Sequence, residues 1–234
     1  MSAAALEVRG LHAYYGESHV LQGVDCRVDP GEVVTLLGRN GAGRTTTLKA
    51  VLGLVGRRSG SVLINGSEAV GLPPHRIARL GVAYCPEERG IYASLSTEEN
   101  LLLPPPLAAG GMSLEELYGM FPNLEERRAS RGTHLSGGEQ QMLALARILR
   151  TGAKLLLLDE ISEGLAPVIV QALSRTIQEL RRGGYTIVMV EQNFRFAAPL
   201  ADRFYVMENG RIVDGFRAAE LPGKMAMLHE FLGV

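Results

Sequence analysis

One stretch constrains this 234-residue chain more than any other: Gly38-Arg39-Asn40-Gly41-Ala42-Gly43-Arg44-Thr45-Thr46. The apolar run Val33–Leu37 precedes it, and Leu48-Lys49-Ala50-Val51-Leu52, with helical spacing, follows. Strand, glycine-rich loop and helix together form the context that a phosphate-binding loop requires. Glycines let backbone N–H groups turn inward on a polyphosphate, and the helix start adds free donors and a positive dipole end. Thr45 fills the place where a hydroxyl holds Mg²⁺, but position 44 departs from the pattern G-x-x-x-x-G-K-[ST]: it carries Arg44 in place of lysine. A glycine-rich turn also occurs as a tight connection with no ligand, so the rest of the chain has to decide.

The length suits one large domain or a domain with an appended subdomain. Apolar residues make up 46% of the chain, enough for a core, and the formal net charge of −1 argues against a general nucleic-acid binder. Cys26 and Cys85 form no short-spaced pair and read as buried small hydrophobes in a reduced compartment. The histidines show no metal-ligand spacing. The N-terminus lacks a charged-then-apolar leader, and no apolar stretch approaches about 18 residues. These features predict a cytoplasmic protein, one that can still sit on a membrane partner.

Along the chain, residues 5–36 read as short strands, with Tyr14-Tyr15-Gly16 between Leu6–Leu11 and Val24–Val28. One tyrosine, preferably Tyr15, offers a flat face for an adenine ring. A strand spans Gly60–Gly66, a short helix runs from Pro73-Pro74 to Leu80, and Val82–Cys85 is a further strand. From about 88 to 150 the character changes: Ser96-x-x-Glu99 and Ser113-x-x-Glu116 are capping-box signatures, broken apart by Pro104–Pro106 and Gly110-Gly111. This segment is expected to be a helical subdomain inserted between two strands of the core sheet, within a single domain spanning 1–234. Strand–helix alternation returns with Leu155–Leu158, a helix over Pro167–Arg182, the strand Thr186–Val190 and a helix at about 194–200. Phe204–Met207, Asn209-Gly210 and Arg211–Val213 read as a hairpin, and Met225–Leu232 as a helix packed on the domain.

Two further clusters carry chemistry. Asp159-Glu160 closes the Leu155–Leu158 strand, and the carboxyl ends of parallel strands face the ligand crevice. Asp159 there can hold Mg²⁺ against the phosphates, and Glu160 can act as general base toward the attacking water. Leu135-Ser136-Gly137-Gly138-Glu139-Gln140-Gln141 opens a helix through Arg150, making a second anion site from Ser136 and the N–H groups of Gly137 and Gly138. One γ-phosphate seldom needs two such sites, so the second is expected to serve a nucleotide held by another copy or a partner.

These motifs, in this order, resemble the nucleotide-binding subunit of an ABC transporter over essentially the whole chain. Within that superfamily, Pro86–Tyr92, Gly138–Ala144, Glu163–Pro167 and Val190–Asn193 resemble the smaller ATPase of branched-chain amino-acid importers, and importers for urea or short amides look similar. The resemblance implies an α/β fold: a P-loop NTPase (RecA-like) core with a mostly parallel sheet, an N-terminal antiparallel β portion and the helical insert. It implies ATP and Mg²⁺ as ligands, with Tyr15 stacking on adenine, Gly38–Thr46 wrapping the phosphates and Ser136, Gly137 and Gly138 completing a partner's site. Glu160 would be the base. Glu87 stands where most relatives carry a glutamine that touches Mg²⁺, and Gln192 where most carry a histidine on the γ-phosphate. The implied partners are a second ABC ATPase subunit (homo- or heterodimer), integral membrane permease subunits and, indirectly, a periplasmic or extracellular solute-binding protein. No nucleic acid is implied. The implied location is the inner face of the cell membrane.

Arg44 keeps the positive charge but replaces a compact ammonium with a wide planar fork, and the two are not interchangeable in a tight site. The expectation is a chain that binds ATP with own-site hydrolysis reduced relative to Arg44→Lys. Two rivals stand beside a transport ATPase: a regulatory nucleotide-binding subunit with little turnover, and an ABC-type ATPase acting on DNA or ribosomes. The latter usually has two ATPase domains or coiled-coil arms, which this sequence lacks.

Overall fold

A computed structural model describes residues 3–232. The chain opens with β1 (Leu6–Tyr15) and β2 (Ser18–Val28), joined by a two-residue turn at Gly16-Glu17. Tyr14 and Tyr15 therefore end a strand, where the sequence placed them between strands; pairing of Tyr15 with Ser18 extends the ladder to the turn. After β3 (Val33–Gly38) comes α1 (Arg44–Val51), then β4 (Arg57–Ile64) and β5 (Ser67–Glu68). Strands β2-β1-β4-β5 form a four-stranded antiparallel sheet.

Next follow α2 (Pro74–Ala78), β6 (Val82–Cys85), and four helices before the next strand: α3 (Thr97–Leu102), α4 (Leu114–Met120), α5 (Pro122–Glu126) and α6 (Gly137–Leu149). Capping boxes at Ser96 and Ser113 start α3 and α4, with each serine hydroxyl accepting from the N–H three residues on. The chain closes with β7 (Leu155–Asp159), α7 (Pro167–Arg182), β8 (Thr186–Val190), α8 (Phe194–Ala197), β9 (Arg203–Glu208), β10 (Arg211–Arg217) and α9 (Leu221–Leu232). Helix α8 stops at Ala197, shorter than the sequence spacing suggests.

The second sheet has the order β10-β9-β3-β8-β7-β6, parallel throughout except for β10 at its edge. Its central strands are buried on both faces, which explains their unbroken apolar runs. Side chains alternate between two cores. Leu156, Leu158, Ile187 and Met189 pack toward α4–α7, while Leu155, Leu157, Val188 and Val190 pack toward α1 and the antiparallel sheet. Both cysteines are free and buried, and burial pushes their thiols up to about 12, as suits inert core residues.

Candidate functional site

The carboxyl ends of β3, β7 and β8 meet at one edge of the parallel sheet, and the loop after β3 closes over them. Gly43 caps α1 with φ 102°, a left-handed conformation, and a Cβ there would lie 2.9 Å from Leu21. Helix α1 starts with no side-chain cap and no acidic residue in its first turn, so its N-terminal donors remain available to an anion. The Asn209-Gly210 hairpin turn braces the loop from behind: Gly210 N–H donates to Ala42 carbonyl oxygen at 2.9 Å, and its own carbonyl accepts from Gln22. Any side chain at 210 would collide with the Val20 carbonyl.

Asp159 ends β7 fully buried. Thr45 Oγ1 donates to one of its carboxylate oxygens at 2.8 Å and the Tyr84 hydroxyl to the other at 2.7 Å. Burial raises its proton affinity, partly offset by those two hydroxyls. Both direct hydrogen-bond partners are neutral, and the charge of Lys49 also lowers the proton affinity of Asp159. Hydroxyl plus carboxylate is the hard oxygen donor set that Mg²⁺ takes, with phosphates supplying further ligands. Among the described residues no group of three or more His, Cys, Asp or Glu side chains could hold a metal by itself.

Glu160 follows in a left-handed conformation, φ +49°. Its Oε1 lies 2.7 Å from Arg44 Nη2, and its Oε2 accepts the Gln192 N–H at 3.1 Å. Burial pushes this carboxyl up, against the pull of the Arg44 charge. Arg44 Nη2 also reaches Asn40 Oδ1 at 3.3 Å, while Arg44 Nη1 is buried without a hydrogen-bond partner.

A 490 Å³ cleft gathers Tyr15, Asn40–Thr46, Glu87 and Glu160 along its walls. Tyr15 is 46% exposed at its rim, free to present its ring. Burial, then the neighbouring Glu163 and Asp159 charges, raises Glu87. Gly38 is buried at the end of β3, and Arg39 turns toward a separate 230 Å³ depression beside Met207 and Glu208. Gln192 opens into an adjoining 850 Å³ hollow that shares Glu160 with the cleft and continues to Leu165 and Phe196.

Ser136, Gly137 and Gly138 do not line the cleft. Ser136 caps α6 in a capping box with Glu139, and Ser136 and Gly137 face solvent. Three residues were given no role from the sequence, though Arg89 and Glu191 lie in stretches that carry the resemblance. Tyr84, read only as part of a strand, bonds Asp159. Glu191 is wholly buried and accepts from both Ser162 N–H and Oγ, at 3.2 and 2.8 Å. Arg89, with φ +61°, bonds the side chains of Gln140 and Gln141 beside Gly137. A charged residue directly after the β8 run marks Glu191.

Residues 21–163 match the family model described as ABC transporter. The chain belongs to the ABC transporter family. It is 46% identical over 209 residues to the high-affinity branched-chain amino acid transport ATP-binding protein BraG of Pseudomonas aeruginosa, covering 86% of this chain and 87% of that protein. It is 35% identical over 216 residues to the lipopolysaccharide export system ATP-binding protein LptB of Escherichia coli, covering 90% and 89%. A solved ATP-binding subunit of an ABC transporter superposes with a TM-score of 0.80 at 31% identity, covering 95% of this chain and 94% of that one. The α/β fold with a P-loop core is thus the family's fold, and hydrolysis of ATP coupled to transport is the family's activity. No helix among the described residues is long and apolar enough to cross a membrane.

Proposed function

We propose that this chain is the ATP-binding subunit of an ABC importer for branched-chain amino acids, docked on permease subunits at the inner face of the membrane. The observation that carries the solute class is the 46% identity to BraG along most of both chains, set against 35% to an exporter subunit. In this reading residues 1–234 are one ATPase domain, with a helical subdomain at about 88–150. Tyr15 carries the adenine ring, and the backbone of Gly38–Thr46 wraps the phosphates. Thr45 and Asp159, with Glu87 across the cleft, hold Mg²⁺, which neutralises charge on the β- and γ-phosphates. Glu160 accepts a proton from the attacking water. Gln192, whose N–H fixes Glu160, donates its amide to the γ-phosphate. Ser136, Gly137 and Gly138 stand outside the cleft because they complete the site of a second ATPase subunit.

The test is the complete transporter in proteoliposomes, with ATP hydrolysis followed on adding solute-binding protein loaded with leucine, isoleucine or valine. Stimulation by these, lost in Glu160→Gln, supports the reading. Stimulation only by urea or a short amide moves the solute class, and ATP binding with no stimulated turnover makes the chain a regulatory subunit.

A further inference from the structure

The residue that breaks the phosphate-loop pattern and the glutamate at the end of β7 are partners in this chain. Arg44 and Glu160 meet at 2.7 Å with side chains only 5% and 9% exposed. The carboxylate is not free to swing: Gln192 N–H holds its second oxygen, and its backbone sits in a conformation that is costly for any residue but glycine. The guanidinium is held on one side only. Nη2 serves Glu160 and Asn40, whereas Nη1 is a buried donor with no acceptor, which is unfavourable by roughly its desolvation cost. A lysine ammonium is a compact point charge on a flexible stem, without this rigid fork.

We propose that Arg44 and Glu160 form a latch on the P-loop. In the nucleotide-free chain the guanidinium occupies the carboxylate; an incoming polyphosphate draws Arg44 onto its own oxygens and releases Glu160 to the attacking water. The latch rests on the reading of this loop as a nucleotide site and adds the regulation of that site. Two anions compete for one buried cation. Nη1 makes no hydrogen bond within the protein, so Glu160 does not take up the whole guanidinium and a phosphate can accept from the donors that remain. Seating phosphates beside Glu160 without moving the cation toward them would leave like charges close together in a low-dielectric site. Every nucleotide that engages Arg44 therefore works against the ion pair, and its apparent affinity is lowered by the fraction of chains in which the latch is closed.

The test is a double-mutant cycle on the full chain, read as the affinity for a fluorescent ATP analogue in EDTA, where binding is measured without turnover. Glu160→Gln keeps the shape of the side chain and an acceptor for Gln192 but gives up the charge. It should tighten binding about tenfold in the otherwise unaltered chain and less than about twofold in the Arg44→Lys background. Arg44→Gln serves as the second background if the lysine form does not fold, as judged by thermal melting of each free protein. Equal tightening in all backgrounds would mean that only general charge repulsion is relieved, and it overturns the latch while leaving the nucleotide site standing. No binding by any of the folded proteins overturns the nucleotide site itself, and the latch with it.

Discussion

At the start of α1 the chain surrounds its free backbone donors with buried charge; at the start of α6, Ser136 and Gly137 face solvent and Gly138 is buried. Around α1, Arg44 pairs with Glu160, Glu160 also accepts the Gln192 N–H just after β8, and Asp159 accepts from Thr45 on α1 and Tyr84 on β6. Around α6, the serine hydroxyl is engaged only by its own capping box, and the neighbouring cation, Arg89, is held by two long hydrogen bonds of 3.3 Å. Preorganised charge in a water-excluded site can do chemistry, whereas exposed backbone donors in water bind anions weakly. The contrast supports the proposal that the reaction belongs to the sheet edge and that the α6 end serves a second surface. Changes at the sheet edge should alter chemistry within a chain, and changes at the α6 end should alter only what a second chain does.

The largest effect is expected at the sheet edge. Glu160→Gln should lower ATP turnover by about 10²–10⁴-fold, the usual contribution of a positioned general base, without loss of nucleotide binding. Wild-type turnover in the purified variant would remove Glu160 from the chemistry. At the α6 end, Ser136→Ala should leave the nucleotide affinity of the isolated chain unchanged while lowering turnover of the assembled ATPase roughly tenfold or more, the scale of one hydrogen bond to a charged group. Weakened binding in the isolated chain would show that the two helix starts serve a single site and erase the distinction.

A smaller effect concerns stability. Behind the cleft, burial pushes the Glu191 carboxyl from 4.5 up to about 8, opposed by its two bonds from Ser162. Between those values the native chain holds a proton that the unfolded chain has lost, so stability falls as pH rises through about 4.5 to 8. Glu191→Gln should flatten the melting temperature over this window and raise it at pH 8 by roughly 5 °C, corresponding to a few kcal/mol. Parallel pH profiles for the two proteins would refute this. No such buried carboxylate stands behind Ser136, and Ser136→Ala should cost only a cap, about 1 kcal/mol, at any pH in this range.

How much of this was legible in the sequence follows from distance along the chain. The P-loop, the capping boxes at Ser96 and Ser113 and the Asn209-Gly210 turn are local patterns in which neighbouring residues dictate the backbone, and each forms where the sequence places it. Buried parallel strands announce themselves as apolar runs, and Asp159-Glu160 stood out because charge ended such a run. Contacts between distant elements were not legible. Thr45 and Asp159, 114 residues apart, were expected together only through a shared Mg²⁺, whereas the bond from Tyr84 to Asp159, 75 residues apart, arises only from the strand order β3-β8-β7-β6. The sequence flagged Arg44 as out of place, but its engagement with Glu160 depends on the left-handed turn at Glu160, which no local pattern required.

The smallest expected effect tests how far the contrast between buried and exposed halves extends within the cleft itself. Tyr15 stands at the rim, half exposed, on the last position of β1 before a two-residue turn. A base stacked there gains mainly ring contact, and the hydroxyl need contribute nothing. Tyr15→Phe should bind a fluorescent ATP analogue as the parent does, while Tyr15→Ala should weaken it only about fivefold, on the order of 1 kcal/mol for a partly solvated aromatic pair. Adenine preference should fall in step, because the phosphates remain held at the α1 end. A loss of a hundredfold or more in Tyr15→Ala would mean that the rim, and not the phosphate cradle, dominates affinity. A loss in Tyr15→Phe as large as in Tyr15→Ala would mean that the hydroxyl, and not the ring face, makes the contact.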